Sequence, residues 1–128
     1  NNYITNGSTA SYSGGVVAFD SNQQGTGTIQ LNIDFGASSL ATTGIIDYTI
    51  AGTRWNTHFT GDVSTAGIDV QNFTPATSDI SSITGTLSGK FYGPNAEELA
   101  GTFELTGQDT GVTRTSIGSY NALGSVTP

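Results

Sequence analysis

Apolar residues in this chain recur at every second position and hardly anywhere at helical spacing. In "TIQLNIDFG", Ile29, Leu31, Ile33 and Phe35 face one way and Gln30, Asn32 and Asp34 the other. That is the repeat of a strand with one buried and one wet face. "ITGTLSGKFY" puts Ile83, Gly85, Leu87, Gly89 and Phe91 on one side, with Thr84, Thr86, Ser88 and Lys90 opposite. "GTFELTG" sets Phe103 and Leu105 against Thr102, Glu104 and Thr106. In "RWNTHFTGDV", Trp55, Thr57, Phe59, Gly61 and Val63 alternate with Arg54, Asn56, His58 and Asp62. Ile46, Tyr48 and Ile50 make a further row, and Ile68 with Val70 a short one.

The pattern gives about eight strands, near 9–19, 27–35, 38–43, 45–51, 54–64, 67–73, 80–92 and 100–120, the last long enough to divide in two. Turn-type residues separate them, as in "DSNQQGTG", "FGASS", "STAG", "TPATSD" and "GQDTG". With no amphipathic helix to cover them, such strands must bury their apolar faces against one another, in a barrel or a sandwich. Glycines on the inward rows (Gly61, Gly85, Gly89, Gly101) suit the tighter curvature of a barrel. The chain of 128 residues fits a single core. We therefore expect one all-β domain over residues 1–128, an eight-stranded antiparallel β-barrel.

Charge narrows the partners. Three Lys and Arg against ten Asp and Glu leave a net charge of -7. With only Arg54, Lys90 and Arg114 as cations, nothing could neutralise phosphates, which argues against nucleic acid and against anionic membrane surfaces. There is no cysteine, hence no disulfide framework and no thiolate chemistry. A composition rich in Thr, Gly and Asn and poor in Lys suits a protein outside the cell. The sequons at Asn6 and Asn72 read as chance in such a chain.

The stretch "GKFYGPNAEELAGTFELTG" carries adjacent glutamates, Glu97 and Glu98. Gly93-Pro94 ends one strand pattern, and Pro94 has the fixed φ suited to a first helical position. Ala96 to Leu99 then read as one short helical turn near 94–99, with the two glutamates favoured at its start. Adjacent residues on one turn point in different directions, so they do not converge on one substrate atom. The pair reads as part of a scaffold rather than as an acid and base.

"GKFYGPNAEELAGTFEL" closely resembles the barrel domains of the bacterial transferrin-binding protein B group, which carry a Gly-x-Phe-Tyr-Gly-Pro stretch, a short acidic turn and a Gly-x-Phe strand. Looser matches follow in the expected order: "SYSGGV" (11–16), "LNIDFGASSLATTGII" (31–46) and "IAGTRWNTHFTGDV" (50–63). The resemblance implies an eight-stranded antiparallel barrel from an outer-membrane lipoprotein or a secreted relative. That group includes transferrin and lactoferrin receptors, haemoglobin and haem binders, and a binder of complement factor H. It also implies a scaffold role for Phe91, Tyr92, Gly93, Pro94, Glu97, Glu98 and Gly101. Two departures stand out: the chain shows no lipidated N-terminal cysteine, and it has neither a handle domain nor long loops.

His58 is the single histidine, so neither a Ser-His-Asp relay nor a His-rich metal cluster is expected. It lies on the polar face of its strand and reads as a surface residue; its alternative role is as a ligand to haem, the one cofactor the resemblance brings in. "DSNQQG" echoes the opening of a calcium loop at Asp20, Asn22 and Gln24, but Leu31 stands where the closing glutamate belongs. No metal is expected. Trp55, Phe59, Phe91 and Phe103 read as core.

The functional expectation is a non-enzymatic binding barrel of a bacterial surface or secreted protein, serving haem or host iron-protein acquisition. The partner would be a host protein or haem. The alternative is a structural, self-associating surface or filament subunit, or a barrel recognised by a secretion apparatus, for which "NNYITNG" would suit strand exchange. A hydrolase using a carboxylate pair is a third, disfavoured class. Recognition is expected at the barrel ends, in "DSNQQGTG" (20–27), "TPATSD" (74–79) and "GQDTG" (107–111).

Overall fold

The structure, a computed structural model, describes residues 9–35, 42–64, 67–93 and 96–127. Its strands follow chain order: β1 (Thr9–Asp20), β2 (Gln23–Asp34), β3 (Thr42–Ile50), β4 (Thr53–Val63), β5 (Gly67–Pro75), β6 (Ser81–Tyr92), β7 (Glu98–Asp109) and β8 (Val112–Thr127). Each pairs antiparallel with the next, and β8 returns to β1 to close the barrel. Closure leaves no free outer edge strand, which suits a chain with so few charges to guard one.

The two-residue alternation sets the inside. Ile29, Leu31 and Ile33 of β2, Ile46, Tyr48 and Ile50 of β3, Trp55 and Phe59 of β4, and Leu99, Phe103 and Leu105 of β7 are all buried. Tyr48 stacks on Trp55 with ring centroids 5.8 Å apart, and Phe103 tilts against Tyr48 at 5.3 Å. Side chains fill the interior, as an eight-stranded barrel permits. The Tyr48 and Ser116 hydroxyls hydrogen-bond inside it.

Three connections at one end are tight. β1–β2 turns at Ser21-Asn22, β3–β4 at Ala51-Gly52 and β7–β8 at Thr110-Gly111. Ala51 (φ 50°) with Gly52 (φ 83°), and Thr110 (φ 48°) with Gly111 (φ 86°), have positive φ at both central residues. The hairpin turn that matches strand twist requires this, and glycine meets it without strain. The fourth connection at that end, β5–β6, is longer and behaves differently.

Two sequence expectations change, and one is met. Strands at 38–43 and 45–51 are replaced by β3, whose described residues Thr42–Ile50 form one unbroken ladder with β2 and β4; residues 36–41 lie outside the described residues. The 100–120 run does divide in two, at Thr110-Gly111, into β7 and β8. The helical turn expected near 94–99 is not seen in its described part. Pro94 and Asn95 lie outside the described residues, Ala96 is left-handed (φ 53°), and Glu98 and Leu99 already belong to β7. Leu99 pairs with Phe91 on one side and Ala122 on the other. Ladder bonds on both edges outweigh one isolated helical turn, which carries the full cost of nucleation.

Candidate functional site

The stretch with the glutamates is pinned at the end opposite the hairpins. Phe91 points inward, 5.9 Å from the Tyr12 ring and 5.8 Å from that of Phe35, while Tyr92 is half exposed on the outside. The Ala96 amide donates to the Gly93 carbonyl at 3.2 Å, and the Gly124 amide donates to the Glu97 carbonyl at 2.9 Å. The Tyr12 hydroxyl donates to the Ala96 carbonyl at 2.6 Å. A Cβ on Gly93 would land on the Glu97 carboxylate, so that side chain lies against the turn. Burial, and then the nearby Glu97 charge, push the Tyr12 hydroxyl up to about 12. Glu98 accepts from the Asn121 side chain at 2.6 Å. The two glutamates thus engage different neighbours and do not converge. Gly101 faces Gly89 across β6 and β7, and the Tyr120 hydroxyl occupies the space a Gly89 side chain would need while donating to the Ser88 carbonyl at 2.9 Å.

The segments expected to carry recognition are held tightly instead. Residues 23–27 and 107–109 are strand, not loop. Arg114 ties the two hairpins together, bonding Asp109 at 2.9 Å and approaching Asp20 at 3.6 Å. Within 74–79 the chain runs on along β4: the Ala76 amide donates to the Asn56 carbonyl and the Asp79 amide to the Arg54 carbonyl, both at 2.9 Å. The Ser78 hydroxyl donates to the Arg54 carbonyl at 3.0 Å and accepts from the amides of Asn56 (3.2 Å) and Ile80 (3.1 Å). This cover buries Asn56, a residue the alternation assigns to the wet face.

His58 is exposed on β4, between Ile45 of β3 and Thr74 of β5. It borders an open hollow of ≈ 380 Å³ lined by polar Gln30, Asn32, Thr43 and Thr60 together with Gly44, Ile45 and Phe59. Among the described residues no three His, Cys, Asp or Glu gather as a metal site.

An open groove of ≈ 630 Å³ lies on the wall across β5, β6 and β7. Its floor is made of small outward residues: Gly67, Ser88, Ala100 and Thr102. Asp62 and Asp69, paired across β4 and β5, line one side, and Lys90 and Tyr92 the other. Sequence reasoning missed this groove because its residues come from four strands. The signal within reach was the small outward residues of "SGK" and "LAGT".

The fold is that of a closed, eight-stranded antiparallel β-barrel with a side-chain-filled interior. The chain matches the family of C-lobe and N-lobe β-barrels of transferrin-binding protein B over residues 2–123, and it belongs to that family. Comparison with curated individual proteins gives no match.

Proposed function

We propose that this barrel is a non-enzymatic, protein-binding module of a bacterial surface or secreted protein that takes iron from a host iron protein. The observation that carries the reading is the family match across residues 2–123. A barrel with a side-chain-filled interior offers its outer wall for recognition, and the groove over β5–β7 is an open concavity there.

The test is titration of the chain with mammalian serum transferrin, lactoferrin and haemoglobin, each with and without iron, and separately with haem. Saturable binding of one protein, at one partner per barrel, is expected. Binding of haem alone, or of none of the four, contradicts the reading. A second reading is self-association, favoured by the exposed neighbours Phe19 and Ile117 on β1 and β8. Sedimentation of the chain alone separates the two.

A further inference from the structure

We propose that the wall formed by β1, β8 and β7 binds a second copy of this chain, face to face, about a two-fold axis along the row Val17–Ser119–Thr102. The inference rests on the self-association reading above, names its surface and symmetry, and is independent of the iron-protein reading.

The ladders set three outward rows across these strands. Phe19, Ile117 and Glu104 form one, Val17, Ser119 and Thr102 the next, and Gly15, Asn121 and Ala100 the third. The first support is the apolar cluster. Of the six large hydrophobic side chains exposed among the described residues, Val17, Phe19 and Ile117 are neighbours on this wall. Single exposed apolar residues are ordinary, whereas a contiguous group marks a contact surface.

The second support is Gly15. Among the described glycines it alone combines an ordinary φ with open space where a Cβ would stand. The barrel does not require glycine there, and glycine inside a strand weakens it. Its bare backbone lets another surface approach closely.

The third support is the match of the wall with itself. Turning a second copy over about the middle row lays each strand antiparallel on its own counterpart and exchanges the outer rows. Phe19 of one copy then meets Gly15 of the other, Ile117 meets Asn121, and Glu104 meets Ala100. The bulky row faces the small row twice, as an isologous contact requires.

Charge selects this alignment. Lys90 of β6 pairs with Ala100 in the ladder, so Glu104 of one copy arrives beside Lys90 of the other. Both side chains are exposed, and neither is in an ion pair among the described residues. Turning the copy about the strand direction between β1 and β8 would stack Phe19 on Ile117 but set Glu104 over the uncharged Gln24.

The test is sedimentation equilibrium of the chain up to about 1 mM, since small interfaces are weak. A monomer–dimer equilibrium without longer oligomers is expected. Gly15→Phe sets two rings against each other and should abolish the dimer; Phe19→Gly empties the same contact and should abolish it as well. Mixed together, the two variants regain both contacts and should form a dimer as tight as that of the unaltered chain. Glu104→Lys should weaken the dimer about tenfold, roughly threefold for each of the two ion pairs, and adding Lys90→Glu should restore it. Circular dichroism checks each variant, and where a β1 substitution prevents folding the charge exchange tests the same alignment.

A chain that stays monomeric would overturn both the proposal and the self-association reading. A dimer indifferent to these substitutions would overturn this wall and leave self-association standing. Weakening by the single variants without rescue by mixing or by charge exchange would overturn the two-fold arrangement. A monomeric chain whose capture of a host iron protein is lost with Phe19→Gly would assign the wall to that partner instead.

Discussion

The β1–β2 and β5–β6 hairpins are built from the same alternation, yet they hold together very differently. β1 and β2 are paired from Thr9↔Asp34 to Asp20↔Gln23 without a break, around a two-residue turn. β5 and β6 are paired only from Gly67↔Lys90 to Val70↔Leu87. Beyond Val70 the β4–β5 register shifts at Thr60/Gly61, and the β6–β7 register shifts between Ser81 and Thr84. Connection length decides the difference. A tight turn fixes register to its last residue, whereas the β5–β6 connection spends residues 76–80 covering β4 and burying Ile80. The groove lies on this weakly laddered side.

The largest expected effect strikes the strongly laddered side. Tyr12, Tyr48 and Tyr120 stand on β1, β3 and β8. Burial pushes all three hydroxyls up; at Tyr48 the Ser116 hydrogen bond opposes the shift and the Asp20 charge adds to it. Below pH 10 each hydroxyl is protonated in both folded and unfolded chains and stability is unaffected. Above pH 10 only the unfolded chain releases these protons, so stability falls as pH rises, by about 1.4 kcal/mol per unit for each tyrosine. Alkaline titration should therefore show cooperative loss of the barrel with tyrosinate absorbance appearing in the same step, between pH 10 and 12. Tyrosinate appearing well before unfolding would show that these hydroxyls are less enclosed than the structure has them.

Gly89→Val comes next. Its side chain would meet the Tyr120 hydroxyl and crowd Leu99, and overpacking of this kind costs roughly 1–3 kcal/mol. Ser88→Val faces outward and should change the melting temperature little. Equal melting temperatures for the two would place the β6 register one residue off.

Ser78→Ala removes a hydroxyl that serves Asn56, Arg54 and Ile80 together, at an expected cost of about 1–2 kcal/mol. The loss should speed proteolysis within 76–80 and leave β1–β2 protected. Loss of protection on both sides alike would mean that the two hairpins open as one.

Arg54→Ala is the smallest. Its pair with Asp47 is bidentate, at 3.1 and 3.0 Å, but exposed. Exposed pairs contribute little, so no measurable change in melting temperature is expected.

Much of the fold could be read from the alternation, because one buried face per strand leaves little choice of register. Trp55, Phe59 and Phe103 are core as their spacing requires. Connections read less well. "GPNAEEL" has helical chemistry, but Leu99 is claimed by ladders on both edges, a long-range fact that local propensity does not carry. Asn56 went unread for the same reason: its cover comes from Ser78, distant in sequence. The groove depends on the register between successive strands: the pairings of β4 with β5, β5 with β6 and β6 with β7 bring Asp62, Ser88 and Ala100 to one patch of wall.

Native-state amide hydrogen exchange tests the uneven wall most directly. The amides of Gly67–Val70 and Leu87–Lys90 should exchange at least about tenfold faster than those of Tyr12–Val17 and Thr26–Leu31, equivalent to an opening about 1.4 kcal/mol easier. Equal protection of the two hairpins, or faster exchange in β1–β2, would contradict the account.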